Sequence, residues 1–257
     1  MSSVQLERKG RVAVIRLNEP ETMNALSGGI KAVLETEVPR LLDDPAIGAL
    51  VFTGSGKAFC AGGDIRSMRE VTPIGTRARL QRNYTWAQRL LTAEKPVVMA
   101  LNGVAAGAGF ALAMLGDIVY ASREARFKAG FPGIAAVPDV GLAYTLPRAV
   151  GQLRAREILL SNRMVGMEEA LAIGLVNRVL GPAELLDAAL ETATALAEGP
   201  AIALGLTKTL VRRAFDDTLE RFLEDEAKAQ AIAFSSEDFR EGVAAFMEKR
   251  KPVFTGR

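Results

Sequence analysis

Two short stretches combine glycine, alanine and one acidic residue in a way that suits chemistry done by the backbone. They are "FCAGGDI" (residues 59–65) and "NGVAAGAGFALAMLGDI" (residues 102–118). Each reads as a strand running into a turn and then a helix. Small residues there let the chain approach a ligand closely, with unpaired first-turn N–H groups facing outward. In the first stretch, Asp64 reads as the N-cap of a helix starting near Ile65. Two such junctions can each aim one N–H at a single oxygen, forming an oxyanion hole made of backbone. On spacing alone, simple tight turns are the favoured reading of both.

Side-chain chemistry is restricted from the outset, because the 257 residues include no histidine and one cysteine, Cys60. A Ser-His-Asp or Cys-His nucleophile is therefore excluded, as are a histidine-ligated metal, a zinc-binding cysteine cluster and an intrachain disulfide. Cys60 reads as a small packed hydrophobe. Acid–base work falls to carboxylates, Lys or Tyr, assisted by backbone dipoles.

The elements that must position these groups are visible as apolar runs of strand length: "VAVIRLN" (12–18), "IGALVFTG" (47–54), "PVVMALNG" (96–103), "IVYAS" (118–122) and "GLVNRVL" (174–180). Helical patterns such as "SGGIKAVLETEVPRLLDD" and "REILLSNR" separate them, which predicts an α/β layer architecture. From about Pro200 the texture becomes purely helical and amphipathic, with Ser236 ahead of Glu237 and Asp238 reading as a cap and acidic first turn. We therefore divide the chain into a core over 1–199 and a helical C-terminal region over 200–257.

Composition narrows the partners. At 49% apolar and 24% charged the chain is globular, and 32 basic against 30 acidic residues leave no basic excess for nucleic acid or an anionic membrane. Its charged start fits no signal peptide, so a cytoplasmic location is expected. The 21-residue window 96–116 lacks ionisable side chains, but Pro96, Asn102-Gly103 and further glycines break it into strand, turn and helix, so buried core is expected rather than a membrane span. Two nucleotide motifs also fail. "GSGKAF" has Val51 and Ala58 where a phosphate loop needs glycine and a hydroxyl residue, and "GAGFAL" has Leu112 where a dinucleotide fingerprint needs its third glycine.

Six stretches, in order from about residue 4 to residue 257, carry a family resemblance: "LNEPETMNALS", "GSGKAFCAGGDI", "KPVVMALNGVAAGAGFALAMLGDI", "VPDVGLAYTLPRAVG", "EALAIGLVNRV" and "REGVAAFMEKRKPVFTGR". Together they resemble the crotonase superfamily of enoyl-CoA hydratases and isomerases. The resemblance implies an α/β crotonase fold, a spiral of ββα units with a helical C-terminal trimerisation region. It also implies a homotrimer or hexamer and an acyl-CoA substrate that itself carries the coenzyme A, with no separate cofactor and no metal. The oxyanion donors would be Gly63 and Ala108. Coenzyme A would contact Asp64, Ile65 and Arg66, while Phe246 and Lys249 of a neighbouring subunit would meet its adenine or phosphate.

The departures from the family pattern bear on the reaction. Hydratases of the family hold a water between two glutamates, and the corresponding positions here are Ala111 and Phe131, neither of which transfers a proton. Asp139 in "AAVPDVGLAY" reads by itself as a turn former. The resemblance makes it the base of an isomerase branch that shares "NGVAAGAG", lacks both glutamates and ends in "FTG". Its apolar flanks, Ile134, Val137 and Val140, predict a raised pKa. Asp117 reads as a turn cap, and Glu94 and Glu124 lie in polar loop-like stretches. Trp86, Tyr84 and Phe131 are expected to wall the acyl pocket. The reading is an isomerase with a single base; an atypical hydratase and a non-catalytic acyl-CoA- or RNA-binding member are the alternatives.

Overall fold

The computed structural model describes residues 2–68 and 72–257. In chain order its elements begin with β1 (Val4–Lys9), β2 (Val12–Leu17), α1 (Gly28–Asp43), β3 (Ala49–Gly54), β4 (Ala58–Cys60), α2 (Pro73–Thr92), β5 (Val97–Leu101) and β6 (Val104–Ala106). The middle of the chain forms α3 (Ala108–Ala113), β7 (Ile118–Ser122), β8 (Arg126–Lys128), α4 (Leu142–Val150), α5 (Gln152–Ser161), β9 (Met164–Gly166), α6 (Met167–Ala172) and β10 (Arg178–Leu180). Helices α7 (Leu185–Ala197), α8 (Ala201–Arg213), α9 (Leu219–Ser235) and α10 (Glu237–Glu248) complete it.

Six strands form one sheet in the order β1-β2-β3-β5-β7-β10, and four form a second in the order β4-β6-β8-β9. In the first, β1 is antiparallel to β2 and every other pairing is parallel. Three successive strand pairs, β3/β4, β5/β6 and β7/β8, each give one strand to each sheet. This is the repeated unit of the crotonase fold. Because parallel strands need crossovers that cover both faces, β3 and β5 are buried along their whole length. The two-residue side-chain period divides them between two cores. Val14, Val51, Val98 and Ala100 face α7, which meets them with Ala189, Ala193 and Ala197, while Ile15, Phe52, Met99 and Leu101 face the larger core.

The expected strands are present, although the last is confined to Arg178–Leu180. Residues 96–116 form β5, a turn, β6 and α3, and no helix among the described residues is long and apolar enough to cross a membrane. Ser27 caps α1 by accepting from Ile30 N at 3.2 Å, and Ser236 caps α10 by accepting from Phe239 N at 3.0 Å. Asp238, on the first turn of α10, is buried and accepts from Thr255 N at 2.7 Å and Gly256 N at 2.9 Å. That bond pair ties the C-terminal residues back onto the last helix.

Candidate active site

Both glycine-rich junctions leave the second sheet side by side. β4 and β6 are adjacent and parallel, with Ala58 opposite Val104 and Cys60 opposite Ala105, so the stretches that follow them start at neighbouring carboxyl ends. Such ends are the common ligand-binding edge of parallel sheets. The contact between the junctions is tight. A methyl group on Gly62 (φ 102°) would lie 2.7 Å from Ala106 O and 3.4 Å from Ala108 N, so only glycine lets the first stretch rest against the second. Gly109 has the same role one turn on, where a Cβ would run into the Cys60 carbonyl.

Hydrogen bonds fix the junctions while leaving donors over. Ala61 N donates to Met23 O at 2.9 Å and Leu26 N to Gly62 O at 2.7 Å, tying the first junction to the segment before α1. Gly107 N donates to Lys128 O at 3.0 Å, tying the second to β8. The N–H groups of Gly63 and Ala108 donate to no protein acceptor among the described residues. The geometry thus brings together two donors read from sequence as a possible pair.

Asp64 corrects one expectation. It does accept from Arg66 N at 3.1 Å, but it opens a 3₁₀ turn over Ile65–Met68, not an α-helix, within the residues described. Its carboxylate also takes the Arg66 guanidinium at 2.9 Å, which holds its pKa below the ordinary carboxylate value. Ile65 and Arg66 are exposed at the rim of the junctions. Phe246 and Lys249 lie at the carboxyl end of α10, also exposed, and neither lines the cavity that contains Asp139.

Asp139 stands where the chain turns sharply into α4. Val140 and Gly141 follow it in left-handed conformation (φ 49° and 79°), an unusual geometry for a β-branched residue. The carboxyl lines a cavity of about 420 Å³ with Tyr84, Gln88, Leu91, Leu115 and Val140. Its Oδ1 is buried without a hydrogen-bond partner. Burial pushes its pKa above the ordinary carboxylate value, and the positive charges of Lys31 and Arg79 act against that rise. Burial holds the pKa of Lys31, half-buried on α1, below the ordinary lysine value, with Arg79 adding to that and the carboxylates of Asp64 and Asp139 acting against it. The sequence reading missed Lys31 and Arg79. Neither belongs to a motif, and each lies far from Asp139 along the chain.

The positions of the family's paired glutamates are apolar and internal: Ala111 is wholly buried and Phe131 packs in the larger core. Of the three expected pocket aromatics, only Tyr84 lines the cavity. Trp86 is corrected to a core residue, facing inward from α2 where Tyr84 faces out, and Phe131 likewise belongs to the core. Burial drives the Cys60 thiol up to about 12, which removes it as a nucleophile. Asp117 accepts from Val97 N at 2.8 Å and pairs with Lys208 at 2.8 Å, joining the main sheet to α8.

The family model for Enoyl-CoA hydratase/isomerase matches residues 7–257 of this chain. The chain belongs to the enoyl-CoA hydratase/isomerase family. It is 39% identical to a 1,2-epoxyphenylacetyl-CoA isomerase of Escherichia coli (strain K12), covering 96% of this chain and 95% of that protein. It is also 35% identical to a short-chain-enoyl-CoA hydratase of Clostridium acetobutylicum, covering 98% and 97%. Among solved structures, an enoyl-CoA hydratase/isomerase from Cupriavidus metallidurans CH34 superposes with a TM-score of 0.94 at 35% identity, covering 100% of this chain and 97% of that one. The crotonase fold and the acyl-CoA chemistry of the enoyl-CoA hydratase/isomerase family therefore hold for this chain. Relatives named for isomerisation and for hydration are both similar to it.

Proposed function

We propose that this family member is an enoyl-CoA isomerase with Asp139 as its single general base. The carrying observation is the buried, unpartnered Oδ1 of Asp139 in a site where Ala111 and Phe131 occupy the glutamate positions. In this reading the thioester oxygen lies between the N–H groups of Gly63 and Ala108, which stabilise the negative charge that develops there. Asp139 removes the α-proton of a β,γ-enoyl thioester, giving a dienolate whose charge rests on that oxygen. The same carboxyl then returns the proton to the γ-carbon, and the double bond moves to the α,β position. One carboxylate serves both transfers, whereas hydration must also activate a water. Asp64, Ile65 and Arg66 would meet the coenzyme A portion, with Phe246 and Lys249 of a neighbouring subunit at its adenine end.

The test compares two reactions on purified protein. Isomerisation of a β,γ-enoyl-CoA is expected to exceed hydration of crotonyl-CoA by about 10² or more, the scale set by one missing proton-transfer group. Faster hydration overturns the assignment and favours the hydratase-named relatives as the guide.

We further propose that subunits associate through the C-terminal helices as a trimer or a hexamer. Leu219, Leu223, Ile232, Phe234, Val243 and Phe246 are exposed apolar side chains along α9 and α10, the kind of surface that a subunit interface covers. Sedimentation at micromolar concentration should give three or six times the mass of one chain. A stable monomer overturns this.

A further inference from the structure

A cavity of about 450 Å³ lies between α4, α8 and the starts of β5 and β7. Leu91 and Tyr144 line both this cavity and the one that contains Asp139, and so stand between them. That partition is braced. The Tyr144 hydroxyl donates to Asp216 at 2.8 Å, and the Arg148 guanidinium lies 3.5 Å from the centre of the Tyr144 ring. The cavity is thus a compartment of its own, in the size range of a small-molecule site.

Most of its lining is apolar, with Met114, Ile118, Leu204 and Phe215 among the side chains, but its charges do not balance. Three cations line it, Lys208, Arg148 and Arg212, and two carboxylates answer them, Asp117 and Asp216. Lys208 is committed in full: it pairs with Asp117 at 2.8 Å and donates to Lys95 O at 3.1 Å and Leu90 O at 3.4 Å. Arg148 donates to Asp216 Oδ1 at 2.5 Å and to the Tyr144 carbonyl at 3.1 Å, and its buried Nε has no partner. Asp216 Oδ2 is taken by the Tyr144 hydroxyl, so both oxygens of that carboxylate are engaged. Arg212, four residues earlier, acts on Asp216 only through its field. It is half-buried, with no ion pair or side-chain hydrogen bond among the described residues.

A guanidinium in that position is matched by a ligand with one negative charge on an apolar body. An uncharged ligand would cover the cation further without pairing it, which costs free energy. A carboxylate pairs it with two parallel hydrogen bonds. We propose that this cavity is a binding site for a free apolar monocarboxylate, its head on Arg212 and its hydrocarbon among Met114, Ile118 and Leu204. The site is separate from the thioester chemistry and does not depend on the role of Asp139.

The experiment measures binding of octanoate and of octanamide, which lacks the head charge, to the full chain by calorimetry. The wild type is expected to bind octanoate about tenfold more tightly than octanamide, the scale of one charge-assisted hydrogen bond. Arg212→Gln is expected to bring the two within about twofold by removing that bond's charge. Thr207→Trp fills the cavity from an exposed lining position on α8 and should weaken both ligands about tenfold. Butyryl-CoA, a short ester for the Asp139 cavity, should leave octanoate affinity unchanged. Equal affinity for acid and amide in the wild type, or a ratio preserved in Arg212→Gln, overturns the proposal. So does octanoate affinity that Thr207→Trp leaves unchanged, or displacement of octanoate by butyryl-CoA, which would put the acid in the Asp139 cavity. Failure of octanoate to bind overturns it as well.

Discussion

Asp139→Asn is expected to lower kcat for β,γ-enoyl-CoA isomerisation by about 10² to 10⁴, the range for a positioned general base, with coenzyme A ester affinity almost unchanged. Asparagine keeps the shape of the side chain and removes only the proton acceptor. Stability provides an internal check. Burial raises the folded-state pKa of Asp139 above its unfolded value, so its contribution to stability is fully present at low pH and is lost as pH rises through the raised value. At neutral pH the buried charge is therefore a cost, and the asparagine variant should melt no lower than wild type. The same titration sets the activity profile. Wild-type turnover should fall as pH drops through the raised pKa, and the residual activity of the variant should lack that acidic limb. Asp117→Asn is the contrast, since it breaks the pair with Lys208 and should act on melting rather than on chemistry. Asp139→Asn activity within a few-fold of wild type would take Asp139 out of the mechanism.

What the sequence makes legible depends on where the physical signal lies. The strands of the main sheet are read easily, because burial on both faces makes them continuous apolar runs such as "VVMAL". The second sheet is not. Its strands β4, β6, β8 and β9 have three residues each, too short for a two-residue period to register against turns. Yet β4 and β6 are what bring the two glycine-rich junctions together, so sequence gave the pieces of the site and not their adjacency. Tyr84 and Trp86 show the same limit within one helix. Both are large aromatics two positions apart on α2, and the helical turn sends one to the cavity and the other to the core. Lys31 was hidden because it lies next to the apolar stripe of α1, where a lysine ordinarily reads as a solvated edge. Only the fold brings it within reach of Asp139.

The second large effect is expected at the contact between the junctions. Gly62→Ala puts a methyl group 2.7 Å from Ala106 O and 3.4 Å from Ala108 N, at a backbone angle of φ 102° that side chains rarely tolerate. Because the opposing atoms are backbone at the end of β6, relief requires the junctions themselves to separate. The N–H of Gly63 follows directly and that of Ala108 is beside the displaced carbonyl. Losing alignment of one oxyanion donor costs about 10² to 10³ in kcat. The strain should also lower stability, by about 1–3 kcal/mol. Separating these effects needs a glycine that carries the strain alone. Gly10, in the turn between β1 and β2, has φ 59° with nothing within 4 Å of an added Cβ. Gly10→Ala should thus cost about 1 kcal/mol in urea unfolding and leave kcat unchanged, because its left-handed backbone is remote from the junctions. If folded Gly62→Ala keeps kcat within a few-fold of wild type, as Gly10→Ala should, then the two junctions do not act together on the thioester oxygen. The developing charge would have to be held by some other group, and Lys31, the half-buried cation on α1, would be the next residue to replace.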